Sequence, residues 1–256
     1  MNSLSVAVIA LNEEKNIEAC LRGVTWAGEI VVVDGGSTDQ TAALAHKFTA
    51  HVVYSEFTDF AAQKNFALRH CTKDWVLFLD ADERISEALK EEIVSVLQSE
   101  KPDAVYAIRF QTYFFGKRLR FGGASNFGIR LFPRTRVRYE QPVHERIVTD
   151  LPVRRLKNPI LHYSTRDLEH YKAKLRCYIP LEVDLMKREN RRVGIWDIGL
   201  RPPALFFYKA VLQMGILDGW TGIQFAALSA YYAFLKYRSY YREIKRNARR
   251  GEGIPA

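Results

Sequence analysis

Residues 75–83 read Trp75-Val-Leu-Phe-Leu-Asp-Ala-Asp-Glu83, and this segment gives the clearest indication of the fold class. Its first five residues are apolar, which is typical of a strand that is buried on both faces. The strand then ends at two aspartates, Asp80 and Asp82. In an open α/β sheet ligands bind beyond the carboxyl ends of the strands, and carboxylates there bind Mg²⁺ or Mn²⁺ together with substrate phosphates. A solvated turn is the simpler interpretation of the two aspartates, so the choice between a turn and a binding site depends on the flanking sequence.

The segments before and after this strand repeat the order strand, polar turn, helix. Apolar runs predict further strands at 4–11, 29–34 and 51–54. Helical spacing of apolar residues predicts helices at 15–24, 41–48, 60–70 and 86–98. This alternation is typical of a doubly wound parallel sheet, whose strands share one direction. We therefore expect the polar strand ends, Asn12-Glu13, Asp34 and Asp80/Asp82, along one edge. Helix caps and turn formers are the alternative explanation.

The turn after the first strand contains no glycine, since it reads Ala10-Leu-Asn-Glu-Glu14. The dinucleotide fingerprint Gly-x-Gly-x-x-Gly and the phosphate-binding loop Gly-x-x-x-x-Gly-Lys are both absent from the sequence. We therefore expect acidic side chains and a metal to hold a nucleotide. Gly35-Gly36, after the second strand, allows a tight turn with the backbone close to a ligand.

Four motifs in this region resemble family 2 glycosyltransferases, which have the GT-A fold. They are Val8-Ile-Ala-Leu-Asn-Glu13, Val31-Val-Val-Asp-Gly-Gly-Ser-Thr-Asp39, Ala62-Gln-Lys-Asn-Phe-Ala67 and Phe78-Leu-Asp-Ala-Asp82. The resemblance implies a Rossmann-like, mostly parallel sheet flanked by helices, a nucleotide-diphosphate sugar donor and a divalent cation, Mg²⁺ or Mn²⁺. Leu11 and Lys64 depart mildly from the tyrosine and arginine that the family usually has there.

The resemblance also implies which residues bind the donor. Asp34 would bind the base. Asn12 and Glu13 would both bind the nucleotide sugar, with Glu13 in contact with the nucleoside. Lys64 would approach the uracil or the phosphates. Asp80 would take the ribose.

For the metal, the resemblance implies Asp82 and Asp80. His162, in Ile160-Leu-His-Tyr-Ser164, would complete the site, as a late histidine does in some family members. Two carboxylates without a cysteine cluster also favour a hard cation.

Inverting glycosyl transfer requires a general base for the acceptor hydroxyl, normally Asp or Glu. Glu145, in Pro142-Val-His-Glu-Arg-Ile147, lies where the family places this residue, so we expect it to be the base. Glu140 and Asp150 are the competitors. His144 suits a structural role as well as a functional one.

The motifs divide the chain into a GT-A domain at 1–165 and a helical region at 166–256. Within the domain, 1–100 is the nucleotide-sugar half and 101–165 the acceptor half. The aromatic and basic segment 111–127 either lines an acceptor groove or forms a hairpin packed on the core.

Later motifs resemble the subgroup that builds the lipopolysaccharide inner core. They are Arg130-Leu-Phe-Pro-Arg134, Val143-His-Glu145, Leu161-His-Tyr-Ser164 and Gly215-Ile-Leu-Asp-Gly219. The likeness implies transfer of glucose from UDP-glucose to a lipid-linked saccharide such as a core heptose. A sugar nucleotidyltransferase is the alternative enzyme, although its glycine- and arginine-rich first loop is absent. A non-enzymatic carbohydrate- or membrane-binding scaffold is the other alternative.

The C-terminal region predicts a membrane contact. The chain carries a net charge of +9, and seven of the residues from Lys236 to Arg250 are Lys or Arg. Helices are predicted at 168–192, 204–217 and 220–241, with a break at Pro202-Pro203. Aromatic helices followed by a basic tail are typical of an interfacial anchor on an anionic leaflet. A helical interface between copies of the chain, with a solvated tail, is the alternative.

The same sequence predicts where the protein resides. No window reaches the length of a spanning helix, and no signal peptide is evident. Three widely spaced cysteines favour a reducing compartment. We expect a cytoplasmic protein, peripheral on the inner face of the cytoplasmic membrane, that does not bind nucleic acid.

Overall fold

The structure is a computed structural model that describes residues 3–99, 103–143 and 145–250. The chain forms two compact units. The first consists of Met1–Gln111 and Asn126–Ser164, and the second of Thr112–Ser125 and Thr165–Ala256.

Strands and helices alternate through the first hundred residues, as the sequence predicts. They are β1 (Leu4–Ala10), α1 (Ile17–Arg22), β2 (Glu29–Asp34), α2 (Thr41–Ala45), β3 (Val52–Tyr54), α3 (Phe60–His70), β4 (Trp75–Asp80), β5 (Glu83–Arg84) and α4 (Glu87–Ser99). Strands follow one another in the next part: β6 (Val105–Phe114), β7 (Lys117–Arg118), β8 (Phe127–Pro133), β9 (Arg138–Glu140), β10 (Arg146–Val148), β11 (Val153–Arg155) and β12 (Ile160–Thr165). The remainder is helical: α5 (Leu168–Arg188), α6 (Ile195–Phe207) and α7 (Gly219–Arg250).

The main sheet is parallel on one side and mixed on the other. Its order begins β3-β2-β1-β4, and these four strands are parallel neighbours. The strand β8 then pairs antiparallel with β4, and β6 antiparallel with β8. The order ends β6-β12-β5. The predicted α/β class is confirmed. The parallel side comes from the strand–helix units, whereas strands without intervening helices build the mixed side.

Helices cover both faces of the parallel strands, so β1 and β4 are buried almost throughout. Alternate residues of β4 enter different cores. Leu77 and Leu79 pack in the cluster that contains Leu21 of α1, while Phe78 packs in the cluster that contains Ala67 of α3. This two-sided burial explains why the strand is a continuous apolar run rather than an alternating one.

The segment 112–125 belongs to the second unit, whereas the predicted GT-A domain at 1–165 includes it. It contains the end of β6 and the strand β7, which form a hairpin. The apolar side chains of the hairpin pack against α7, and that contact explains the grouping. The residues of this cluster are Phe114, Leu119, Ala124, Phe225 and Leu228.

The predicted break at Pro202-Pro203 is wrong, because both prolines lie inside α6. Each proline removes one helical hydrogen bond, but α6 packs against α7, and this contact holds the helix together. The helix ends at Phe207, and a π-helical turn at Tyr208–Leu212 and a 3₁₀ turn at Gly215–Asp218 follow it. No helix in the described ranges is both long enough and apolar enough to cross a bilayer.

Candidate active site

The carboxyl ends of β1, β2 and β4 meet at one edge of the sheet. Ala10 at the end of β1 pairs with Asp34, and its neighbour Ile9 pairs with Asp80. The polar residues that follow these strands therefore gather in one place. All of them belong to the first unit.

Hydrogen bonds connect the turn after β1 with the turn after β2. Asn12 adopts a left-handed conformation, and its side-chain oxygen accepts hydrogen bonds from the backbone N–H of Thr38 at 2.8 Å and its hydroxyl at 3.2 Å. The Asn12 N–H donates to the Ser37 hydroxyl at 2.9 Å. The Glu13 N–H donates to the Thr41 hydroxyl at 2.8 Å. Asn12 therefore already acts as a structural link between the turns, a role that the sequence does not indicate.

Asp34 is buried, and only one of its two carboxylate oxygens accepts hydrogen bonds within the described residues. One carboxylate oxygen accepts the backbone N–H groups of Gly36 at 3.2 Å and Ser37 at 3.1 Å. Gly36 has a φ of +97°, a conformation that favours glycine. The other oxygen, Oδ1, is buried and has no hydrogen-bond partner in the part of the chain that the structure describes. Leaving such an acceptor unpaired is costly, so a ligand that donates an N–H group would fit this position.

Lys64 of α3 lies between two carboxylates. Its ammonium forms an ion pair with Glu145 and lies 3.4 Å from Oδ1 of Asp80. The side chain is only 3% exposed. It also lies over the rings of Phe78 and Tyr139, at 5.2 and 5.5 Å from their centroids. Residues that are 16 and 81 positions from Lys64 in the sequence thus meet at a single buried cation.

Arg130 of β8 holds Asp80 from the other side. Its Nη2 is 2.7 Å from Oδ2 of Asp80 and 2.5 Å from Oε1 of Glu83. Glu83 in turn accepts the backbone N–H of Asp80 at 3.1 Å. Neither Arg130 nor Glu83 is predicted from the sequence to take part in the site. Glu83 adjoins the aspartate motif, but nothing in the sequence reveals that β8 pairs with β4.

The charges of this network shift its pKa values in opposite directions. Burial opposes ionisation of Asp80, but the cations Arg130 and Lys64 outweigh it and hold the pKa of Asp80 well below its ordinary value. Burial raises the pKa of Glu83 to about 7. The positive charge of Arg130 lowers this pKa, but the negative charge of Asp80 raises it and offsets part of the effect of Arg130. Burial opposes the charge of Arg130 too, yet both carboxylates raise its pKa. Asp80 is therefore ionised near neutral pH, while Glu83 titrates there.

Asp82 and His162 lie together on the neighbouring turn. Pairing of β12 with β5 sets His162 opposite Glu83, and the Tyr163 N–H donates to the Asp82 carbonyl at 2.9 Å. His162 Nε2 is consequently 3.6 Å from Asp82 Oδ2. One cation with bonds of about 2.1 Å can bridge two atoms at this distance, so this pair fits a divalent metal.

The predicted metal set of Asp80, Asp82 and His162 is nonetheless divided. Within residues 3–99, 103–143 and 145–250, no group of three or more His, Cys, Asp or Glu side chains is arranged to hold a metal. The reason is that both oxygens of Asp80 face Lys64 and Arg130.

Of the three candidate bases, the structure brings only Glu145 to this network. Glu140 and Asp150 are exposed, and each pairs with a surface arginine, at 2.7 and 2.5 Å. His144 lies outside the described residues.

Comparison with known proteins identifies a matching family model and several similar proteins. The model of the family described as Glycosyl transferase family 2 matches residues 5–155. The lipopolysaccharide core biosynthesis glycosyltransferase LpsC of Rhizobium meliloti is 29% identical over 96% of this chain and 94% of its own. An uncharacterized glycosyltransferase of Rickettsia bellii is 26% identical over 91% of this chain and 84% of its own. The crystal structure of Staphylococcus aureus TarS residues 1–349 with UDP superposes with a TM-score of 0.48 at 16% identity, covering 97% and 92%.

Proposed function

The chain belongs to glycosyl transferase family 2, and from this premise we propose that it transfers glucose from UDP-glucose, with inversion, to a lipid-linked saccharide. The observation that carries the proposal is the edge of the sheet where Asp34, Asp80, Asp82 and Glu145 converge. The similarity to LpsC supports a lipopolysaccharide core heptose as the acceptor. Family membership argues against the alternatives of a sugar nucleotidyltransferase and a non-enzymatic scaffold.

The donor nucleotide fits the first two turns. The unpaired Oδ1 of Asp34 would accept the N–H group of the base. Asp80 is ionised because of its two cations, and it would accept ribose hydroxyls. Glu13 would contact the nucleoside beside Asn12, and Lys64 would approach the uracil or the phosphates.

The leaving diphosphate calls for a divalent cation. Asp82 and His162 would hold Mg²⁺ or Mn²⁺, with the remaining ligands from donor phosphates and water. When bound, the cation would neutralise the charge that develops on the diphosphate. Asp80 would join this set only if it left one of its two cations.

Glu145 would act as the general base. Its carboxylate would take the proton of the acceptor hydroxyl as that oxygen attacks the anomeric carbon. The bond from this carbon to the diphosphate oxygen would break on the opposite face, which inverts the configuration. Lys64 orients Glu145 through their ion pair.

Attachment to the membrane would come in part from the basic tail. Lys236, Arg238, Arg242, Lys245 and Arg246 lie on α7. Each basic residue near an anionic leaflet contributes about 1 kcal/mol. We place the enzyme in the cytoplasm, on the inner face of the cytoplasmic membrane, where its three unpaired cysteines suit a reducing compartment.

The test is a panel of nucleotide sugars, incubated with a truncated lipopolysaccharide core that ends in heptose. We expect release of UDP from UDP-glucose that depends on the acceptor, and a β-linked product. Absence of turnover with every UDP-sugar would refute the assignment. Turnover with a different sugar would correct the donor alone.

A further inference from the structure

Exposed apolar side chains are concentrated in one segment of the second unit. Seventeen large hydrophobic side chains are exposed in the described chain, and twelve of them lie between Ile195 and Trp220. We call these twelve the apolar surface. Six of its residues are at least 61% exposed: Ile195, Trp196, Leu200, Leu212, Leu217 and Trp220. Such concentration in 26 residues exceeds the scattered exposure that is normal for a protein surface.

Small residues on the opposite side explain why the large ones point outward. The buried residues of this segment are Pro202, Ala210 and Gly215. At the start of α7 the backbone of Gly222 packs closely against that of Gly215, because a Cβ on Gly222 would lie 1.8 Å from the Gly215 carbonyl oxygen. The large side chains thus have no room inside the unit. They form a surface on α6 and on the two turns that follow it.

The charged residues of the same segment are all engaged by the protein. Asp197 pairs with Arg201 at 2.5 Å. Lys209 donates to the carbonyl of Gly122 at 3.1 Å, and Asp218 accepts two backbone N–H groups at 2.9 Å each. Charges that have partners cost less to remove from water than isolated ones. The segment can therefore enter a poorly hydrated environment without exposing an isolated charge to it.

We propose that the apolar surface inserts into the interfacial layer of a lipid bilayer. Trp196 and Trp220 are exposed near the two ends of this segment of the sequence, and tryptophan rings favour the level of the lipid headgroups. The basic residues of α7 complement an anionic leaflet. The proposal deepens the membrane attachment proposed above and rests on it. It assigns the main affinity to apolar burial, which salt does not screen, rather than to the tail.

The test uses the full chain and neutral phosphatidylcholine vesicles with brominated acyl chains, in high salt. Bromine quenches tryptophan only at close range, so insertion should quench Trp196 and Trp220. The variant Trp196→Phe with Trp220→Phe should bind but lose the quenching, because only Trp26 and Trp75 remain. Leu200→Ser with Leu212→Ser should weaken binding roughly tenfold or more, because two leucines that the bilayer would bury are lost.

The matched control is Phe127→Ser with Val153→Ser, two exposed apolar residues of the first unit. It should leave vesicle binding unchanged. Equal loss in both double variants, or no binding to neutral vesicles, overturns the proposal. So does a dimer in sedimentation equilibrium that Leu200→Ser with Leu212→Ser dissociates while vesicle binding persists. UDP-glucose affinity without vesicles is measured separately, so failure of the donor assignment is recognised independently.

Discussion

At the scale of single residues, the site depends on how two buried cations share three carboxylates. Lys64 contacts Glu145 and Asp80, and Arg130 contacts Asp80 and Glu83. Asp80 therefore has both oxygens fixed before any donor arrives. This arrangement separates Asp80, the carboxylate proposed to bind the donor, from Glu145, the carboxylate proposed to act as the base.

The proposed role of Glu145 as the general base leads to a kinetic prediction. Glu145→Gln should lower the transfer rate by roughly a hundredfold or more, the usual scale for the loss of a general base. Donor affinity, measured by titration calorimetry with UDP, should remain near that of the wild type. Glu140→Gln is the matched control, since Glu140 pairs with a surface arginine. An active Glu145→Gln beside an inactive Glu140→Gln would show that the base is wrongly assigned.

Arg130 leads to a prediction about stability. Arg130→Met would leave Asp80 and Glu83 without their shared partner, and breaking a buried pair costs about 3–5 kcal/mol. Urea unfolding should show this loss. Arg138→Met, which removes an exposed ion pair, should change the free energy of unfolding by at most about 1 kcal/mol. Similar losses in both variants would mean that the buried network does not contribute as described.

Glu83 leads to a prediction about pH. Its pKa rises from 4.5 to about 7 on folding. Between these values the folded protein keeps a proton that the unfolded chain releases, so the free energy of unfolding falls as pH rises through this window. Asp80 titrates below the window. Glu83→Gln should abolish this part of the fall in urea midpoints between pH 4.5 and 7. Parallel curves for variant and wild type would exclude a raised pKa.

At the scale of elements, hydrophobic patterning was most informative where both faces are covered. The predicted bounds of α3 agree with the structure, and β4 begins at Trp75 and ends at Asp80 as predicted. The positions of Asp34 and Asp80 followed from strand direction alone. Arg130 could not be predicted, because its partners depend on a pairing between β4 and β8 that leaves no local pattern. The break predicted at Pro202 is wrong for the same reason, because contact with α7 outweighs the local preference of proline.

The pairing of β5 with β12 leads to a prediction about metal. Chelation should abolish transfer, and Mg²⁺ or Mn²⁺ should restore it, because Asp82 and His162 come together there. Asp82→Asn should lose activity while circular dichroism shows an intact fold. Asp103→Asn, at an exposed aspartate, should behave as the wild type. Full activity in excess chelator would rule out a metal requirement.

At the scale of the whole molecule, charge and chemistry lie in different units. The carboxylates of the site belong to the first unit, and the basic part of α7 to the second. Substitutions in the tail should therefore change attachment without changing donor binding.

Removing two tail charges should test this. Arg242→Gln with Lys245→Gln should weaken binding to anionic vesicles by about 2 kcal/mol at low salt, about 1 kcal/mol per residue. The difference should nearly vanish in high salt, where the attraction is screened. Lys47→Gln with Arg69→Gln, two exposed cations of the first unit, is the control in the same sedimentation assay. Equal effects of both pairs would attribute the attraction to overall net charge.

The hairpin of residues 112–125 has a consequence for how the chain is made. Its apolar residues are buried against Phe225 and Leu228, which leave the ribosome about a hundred residues later. At a synthesis rate of about 5–20 residues per second, Phe114 and Leu119 remain uncovered for roughly 5 to 20 s. Throughout that interval the nascent chain exposes these apolar side chains to solvent, which makes it a substrate for chaperones even after the first unit has folded.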